Sequence, residues 1–153
     1  MEKVKRPDWV SGVRCLKDEQ IKQGPRKFWW KDWFCPKGRC TCPNLIDTQI
    51  DILAIFERTD GRRLGLHIEC KRPGDTFEDS KQASRYPERL KCWTQPGKGP
   101  RKSLPHQEAV AILICDRNHG HSTEDIRQFD GVIYFDEISM RIPIYPAPET
   151  ATG

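Results

Sequence analysis

The 153-residue chain has no long hydrophobic run. Its apolar stretches fall well short of the ~20 residues that a membrane-spanning helix needs. A helical membrane span is therefore excluded. No apolar segment follows the charged start Met1-Glu2-Lys3-Val4-Lys5-Arg6, so no secretory leader is expected. Charge of either sign is scarcely in excess: 26 Lys and Arg against 22 Asp and Glu leave a formal +4. That balance permits a polyanionic partner without demanding one. The cysteines lack the even number and secreted context of a disulfide framework. There are seven, and a reducing, cytoplasmic setting with free thiols is expected. The paired C-x-x-C knuckles that make a strong zinc signature are missing. No internal repeat is present. What is left is a single domain, 1–153, large enough to bury a core.

Two apolar runs stand out. Ile50-Asp51-Ile52-Leu53-Ala54-Ile55-Phe56 and Leu64-Gly65-Leu66-His67-Ile68 flank Thr59-Asp60-Gly61. Asp-Gly between apolar runs signals a hairpin, with strands expected at about 49–57 and 63–71. Pairing them brings the start of the first beside the end of the second. Asp51 and Glu69 then lie near each other at one end of a sheet. Glu69 and Lys71 are two apart and share a strand face. Two carboxylates and an ammonium on one patch suit a divalent cation and an attacking water. Hard cations such as Mg²⁺ use one or two protein carboxylates, with Mn²⁺ as a substitute. Asp51 and Glu69 meet that count, and the backbone carbonyl of Cys70 is an adjacent further ligand. Lys71 is placed to hold the water or to stabilise growing negative charge.

Around this hairpin the pattern predicts a helix over Arg14–Gln23, stopped by Gly24-Pro25. An aromatic segment follows, with Trp29, Trp30 and Trp33. Such tryptophans either stack on bases or fill core and rim. After Pro73-Gly74, Thr76 or Asp79 is the expected cap of a helix running towards Trp93. Pro87 either kinks that helix or starts a new one. Ala109–Cys115 is wholly apolar, which argues for a strand buried on both faces. A short helix capped by Ser122 and a last strand at Val132–Phe135 complete the order, with a partly ordered tail over 143–153. The fold expected is α/β, a central mixed β-sheet of four to five strands flanked by helices, its core spanning about 15–136.

Asp51 followed by Glu69-x-Lys71 at the end of the next strand resembles the PD-(D/E)XK nuclease superfamily. Gln82-Ala83-Ser84-Arg85-Tyr86 is similar to the Q-x-x-x-Y motif of its RecB-like members. Ile50 stands where the family name has Pro. The resemblance covers about residues 15–116 and implies a restriction-endonuclease-like core. It also implies Mg²⁺-dependent hydrolysis of DNA phosphodiesters, with Asp51, Glu69, Lys71, Gln82 and Tyr86 at the site. Positions i and i+4 of a helix share a face, so Gln82 and Tyr86 point together. Many members add a Glu from the first helix as a ligand, and Glu19 holds that place. Arg72 and the basic loop with Lys98, Arg101 and Lys102 are then candidate DNA-phosphate contacts. The lack of a separate recognition domain suggests structure-dependent cleavage or a partner subunit, and double-strand cutting would favour a homodimer.

Two other functions stay open at this point. One is a nucleic-acid-binding or assembly module of the same fold that does not cut. The other is a cysteine-ligated metal module. Cys35, Cys40 and Cys42 crowd into a Pro- and Gly-bearing loop and could hold zinc or an iron–sulfur cluster, with Cys15 or Cys92 as a fourth ligand. Cys70 and Cys115 lie inside apolar runs and are expected to be buried. The four histidines, His67, His106, His119 and His121, are expected first at the surface and second beside DNA or a metal, and no cysteine or carboxylate pattern next to His119-Gly120-His121 makes a metal site.

Overall fold

The structure is a computed structural model that describes residues 12–23, 30, 33–34, 40, 42, 49–77 and 81–142. Its centre is a five-stranded mixed sheet. The strands are β1 (Val13–Cys15), β4 (Ile52–Arg58), β5 (Arg63–Lys71), β6 (Glu108–Cys115) and β7 (Gly131–Tyr134), adjacent in that order. β4 is antiparallel to both β1 and β5, whereas β5, β6 and β7 are mutually parallel. A small ribbon pairs β2 (Trp33–Phe34) with β3 (Gln49–Ile50). The helices are α1 (Lys17–Gln23), α2 (Arg85–Trp93), α3 (Thr123–Ile126) and α4 (Phe135–Arg141).

The hairpin forms as its turn chemistry dictates. Gly61 takes a positive φ of 79° and donates its N–H to the Arg58 carbonyl, a conformation that glycine adopts without a Cβ penalty. This fixes the register at Ile52 opposite Ile68. One step further, Asp51 faces Glu69. A single register then sorts the whole sheet. Leu53, Ile55, His67, Glu69, Lys71, Ala111, Leu113 and Cys115 fall on one face, and all are buried. α2 covers that face, laying Tyr86, Cys92 and Trp93 into two adjoining core clusters.

Several expectations need correction. The first helix does not begin at Arg14. Residues 13–15 instead pair with Phe56, Glu57 and Arg58 as an edge strand, and α1 begins at Lys17. Leu16 is the pivot, with its N–H donated to the Ile55 carbonyl at 2.8 Å and its side chain fully buried. The second helix begins later than Thr76, at Arg85, which leaves Pro87 in its first turn. N–H groups there have no intrahelical acceptor, so Pro87 costs nothing and neither kinks nor ends the helix. Asp79 lies outside the described residues, as do Trp29, Cys35 and the tail from 143. The last strand is one residue shorter at its end than expected. Phe135 opens α4, whose first turn carries Asp136 and Glu137, favourable beside a helix N-terminus. His67 and His106 are buried and not at the surface.

Candidate functional site

The C-terminal ends of β5, β6 and β7 lie along one edge of the parallel half of the sheet. In open α/β sheets that edge is where ligands bind. Glu69 and Lys71 stand on β5 at this edge, and the bend at Asp51 enters β4 beside them.

Glu69 is the hub. Its residue is only 3% exposed. Oε1 lies 2.9 Å from Lys71 Nζ and accepts from Gln82 Nε2 at 3.2 Å. Oε2 accepts from the Tyr86 hydroxyl. Two i→i+3 bonds, from Arg85 N–H to the Gln82 carbonyl and from Tyr86 N–H to the Ala83 carbonyl, wind the chain ahead of α2. This turn points Gln82 and Tyr86 at the same carboxylate, as their spacing led one to expect, although Gln82 itself precedes the helix. A carboxylate offers about four acceptor positions. Three are used, and one on Oε2 is left.

Asp51 approaches from the other strand. Its Oδ2 accepts the Cys70 N–H at 2.8 Å. Within an extended residue the N–H and C=O project to the same side of the strand, so the Cys70 carbonyl also faces Asp51. The Cys70 side chain points to the opposite sheet face from Glu69, and burial with the Asp51 and Glu69 charges pushes its thiol up to about 12. Cys70 is therefore no nucleophile. Burial, then the neighbouring Asp51 charge, raises the Glu69 carboxyl above its ordinary range, against the opposing effects of Tyr86 and Lys71. Burial and the Glu69 charge raise the Tyr86 hydroxyl well above its ordinary value, so it stays a proton donor.

An aromatic wall lines one side of the site, and no local pattern in the chain announces it. Lys71 Nζ sits 5.1 Å from the centre of the Phe77 ring, a cation–π distance. Phe77 stacks on Phe129 at 6.1 Å, and Phe129 packs on Tyr86 at 4.8 Å. His121 lies against Phe77 at 4.8 Å. Its pKa is lowered by burial first, then by His119 and Lys71. Beneath the Tyr86 ring lies the fully buried Arg89, its guanidinium carbon 4.8 Å from the ring centre. Phe77 follows the Pro73-Gly74 turn, in a stretch with no periodicity to reveal it.

Other candidates fall elsewhere. Glu19 is not brought to this cluster. Its carboxylate pairs with Arg14, which also reaches Glu57 at 3.1 Å. Glu57 lies at the turn end of β4, about 20 Å along the strand from Asp51 at ~3.3 Å per residue. From α1 it is Gln20 that turns inward, donating to the Leu53 carbonyl and accepting the Ile55 N–H. Arg72 directly follows Lys71 at the site edge, with an exposed side chain and Asp75 as its ion-pair partner at 3.4 Å. Lys98, Arg101 and Lys102 occupy the loop between α2 and β6. This loop flanks the opposite end of the sheet, where the His106 ring covers Gly65 and the Gln107 N–H donates to the Arg63 carbonyl. Lys98 and Arg101 line a pocket of about 260 Å³ there with Trp93 and His106.

The thiols divide. Cys40, Cys42 and Cys92 converge, with their sulfurs all within 4.8 Å of one another. Cys15 is exposed on β1 and outside that group. Among the described residues no helix is long and apolar enough to cross a membrane. No protein-family profile, no curated protein and no solved structure matches the chain.

Proposed function

We propose that this protein is a metal-dependent DNA nuclease of the PD-(D/E)XK kind, hydrolysing phosphodiester bonds at the Asp51–Glu69–Lys71 edge. One observation carries the reading. Glu69, buried and held by Lys71, Gln82 and Tyr86, sits next to a second carboxylate, Asp51, at the C-terminal edge of parallel strands. A buried carboxylate beside a second, half-buried one is electrostatically costly unless cationic charge joins them. The donors on offer are all oxygens: Asp51, the remaining position on Glu69 Oε2, and the Cys70 carbonyl. Oxygen donors suit Mg²⁺ or Mn²⁺. Such an ion supplies charge neutralisation at a phosphodiester and activation of water.

The protein's own residues do the rest. Tyr86 and Gln82 fix the Glu69 carboxylate in one orientation. Lys71, pinned between Glu69 and the Phe77 face, presents an ammonium that either orients the attacking water or meets charge developing on the phosphate oxygens. Water would add to phosphorus and release a proton to solvent, the ester P–O bond would break, and the departing sugar oxygen would take a proton from solvent. Arg72 would bind the neighbouring phosphate. Lys98, Arg101 and Lys102, at the far end of the sheet, would bind a more distant part of the duplex.

The test is cleavage of plasmid and oligonucleotide DNA with Mg²⁺ or Mn²⁺. Wild type should cut, while Asp51→Asn and Lys71→Met, verified as folded, should fall by about 10²-fold or more, the scale of losing an electrostatic transition-state contact. Equal cutting by all three would refute the assignment. A second reading, a module that binds DNA or assembles without cutting, is favoured by the three donors already on Glu69. DNA retention without cleavage by wild type under any divalent cation would select it.

A further inference from the structure

We propose that Cys40, Cys42 and Cys92 bind a single zinc ion that staples Cys40 and Cys42 to α2. This site is independent of the nuclease reading and shares no residue with it.

The geometry points to one ion. In a tetrahedral zinc site with Zn–S near 2.3 Å, ligand sulfurs stand about 3.8 Å apart. The three thiols here lie within 4.8 Å of one another, and the Cys40 and Cys92 sulfurs are 3.3 Å apart. Small side-chain rotations bring all three onto one centre. In an iron–sulfur cluster at most two thiolates share one iron and the others splay away on another, so three sulfurs do not gather this closely. Soft thiolate donors select zinc over the hard cation expected at the carboxylate edge. A fourth ligand, water or another side chain, would complete the tetrahedron.

The trio is also built into the fold. Cys92 is 3% exposed and lies in α2. Cys40 and Cys42 are half-buried and pack on the core cluster of Leu16, Ile50, Leu53, Ile55, Cys92 and Trp93. Cys42 Sγ lies 3.8 Å from the Glu88 carbonyl, so it already abuts α2. Contacts from 40 to 92 span 52 residues of chain. Closing so long a loop through a metal gains the most from lost unfolded-state entropy, and structural zinc contributes directly to folding. Binding displaces the thiol protons to solvent. The staple would hold the same helix whose first turn carries Tyr86 to Glu69.

The test uses the full chain, expressed with zinc and purified under reducing conditions. Elemental analysis should find about one zinc per chain, with no iron or sulfide. Cys40→Ser and Cys92→Ser should drop zinc to background, whereas Cys15→Ser should keep it. Chelation should lower the melting temperature of wild type and leave that of Cys92→Ala unchanged. Because a cysteine variant can fail to fold, Co²⁺ is also titrated into the metal-stripped wild type. Sulfur-to-cobalt charge-transfer absorption with tetrahedral d–d bands is the expected signature. Absence of both thiolate–cobalt bands and bound zinc in wild type overturns the proposal. So does zinc that persists in Cys92→Ser, an iron–sulfur chromophore, or a Cys40–Cys92 disulfide in the reduced preparation.

Discussion

The face of β5 beneath α2 carries two buried polar clusters, one neutral and one ionic, only two residues apart. His67 is fully buried, with its ring 5.0 Å from Trp93 and its Nε2 3.5 Å from that of His106. Burial, then the charges of His106 and Arg89, pushes His67 well below the ordinary 6.5, and burial also lowers His106. Above pH 6.5 both imidazoles are therefore predominantly neutral in the folded protein. Glu69 and Lys71 are nearly as inaccessible, yet they form an ion pair at 2.9 Å. Burial is shared by the two clusters, and partners decide the outcome. His67 faces Trp93, another histidine and the Arg89 charge. Glu69 meets an ammonium, an amide and a hydroxyl, and it stands near the C-terminal end of its strand.

The largest way to break this contrast is to remove the counter-charge. Lys71→Met should destabilise the metal-free protein by about 3–5 kcal/mol, the cost of orphaning a buried partner. Mg²⁺ should restore part of it, as read by urea denaturation with and without the ion. A loss under about 1 kcal/mol would mean that the pair behaves as an ordinary surface bridge. Next in size, Tyr86→Phe deletes one donor to the carboxylate and should cost about 2 kcal/mol, within the range for bonds to charged groups. No change in the denaturation midpoint would remove Tyr86 from the hub.

On the neutral side, the prediction concerns pH. The unfolded chain takes up protons below 6.5 that the folded histidines refuse, because their folded pKa values are depressed. More protons bound in the unfolded state means that stability rises with pH. Stability should thus fall as pH drops below 6.5, and nothing is lost above it. His67→Leu should flatten that slope while leaving Mg²⁺-dependent cleavage at neutral pH intact. An unaltered slope would place the titration elsewhere. The smallest effect is electrostatic. Asp51→Asn should lower the Glu69 carboxyl toward its ordinary 4.5, since the Asp51 charge is one cause of its rise. Carbon-detected NMR titration reads it, and an unmoved Glu69 would uncouple the two acids.

The hairpin and its register were legible because Asp60-Gly61 and two apolar runs are local signals, and register alone sets Asp51 opposite Glu69. The convergence of Gln82 and Tyr86 was legible from their spacing. Other features depended on long-range partners. Val13–Cys15 is too short to show alternation and is a strand only because β4 offers an edge. Once it pairs there, Arg14 captures Glu19 and holds it away from the carboxylate edge. Cys92 was one of two choices for joining Cys40 and Cys42, and only the docking of α2 decides between them. The burial of His67 and His106 follows from α2 and the loop after it folding over β5, which no short window reveals. Phe77 reaches Lys71, and Phe129 reaches Phe77 and Tyr86, through stretches that lack periodicity.

The central claim is that Asp51 and Glu69 together hold one divalent cation. Its most direct test is titration of Mn²⁺ into wild type and Asp51→Asn, followed by electron paramagnetic resonance of the free ion. The account predicts one Mn²⁺ site per chain, weakened about tenfold or more in Asp51→Asn, the scale of about 1.4 kcal/mol. Equal Mn²⁺ binding by the two proteins, or none by wild type, would contradict it.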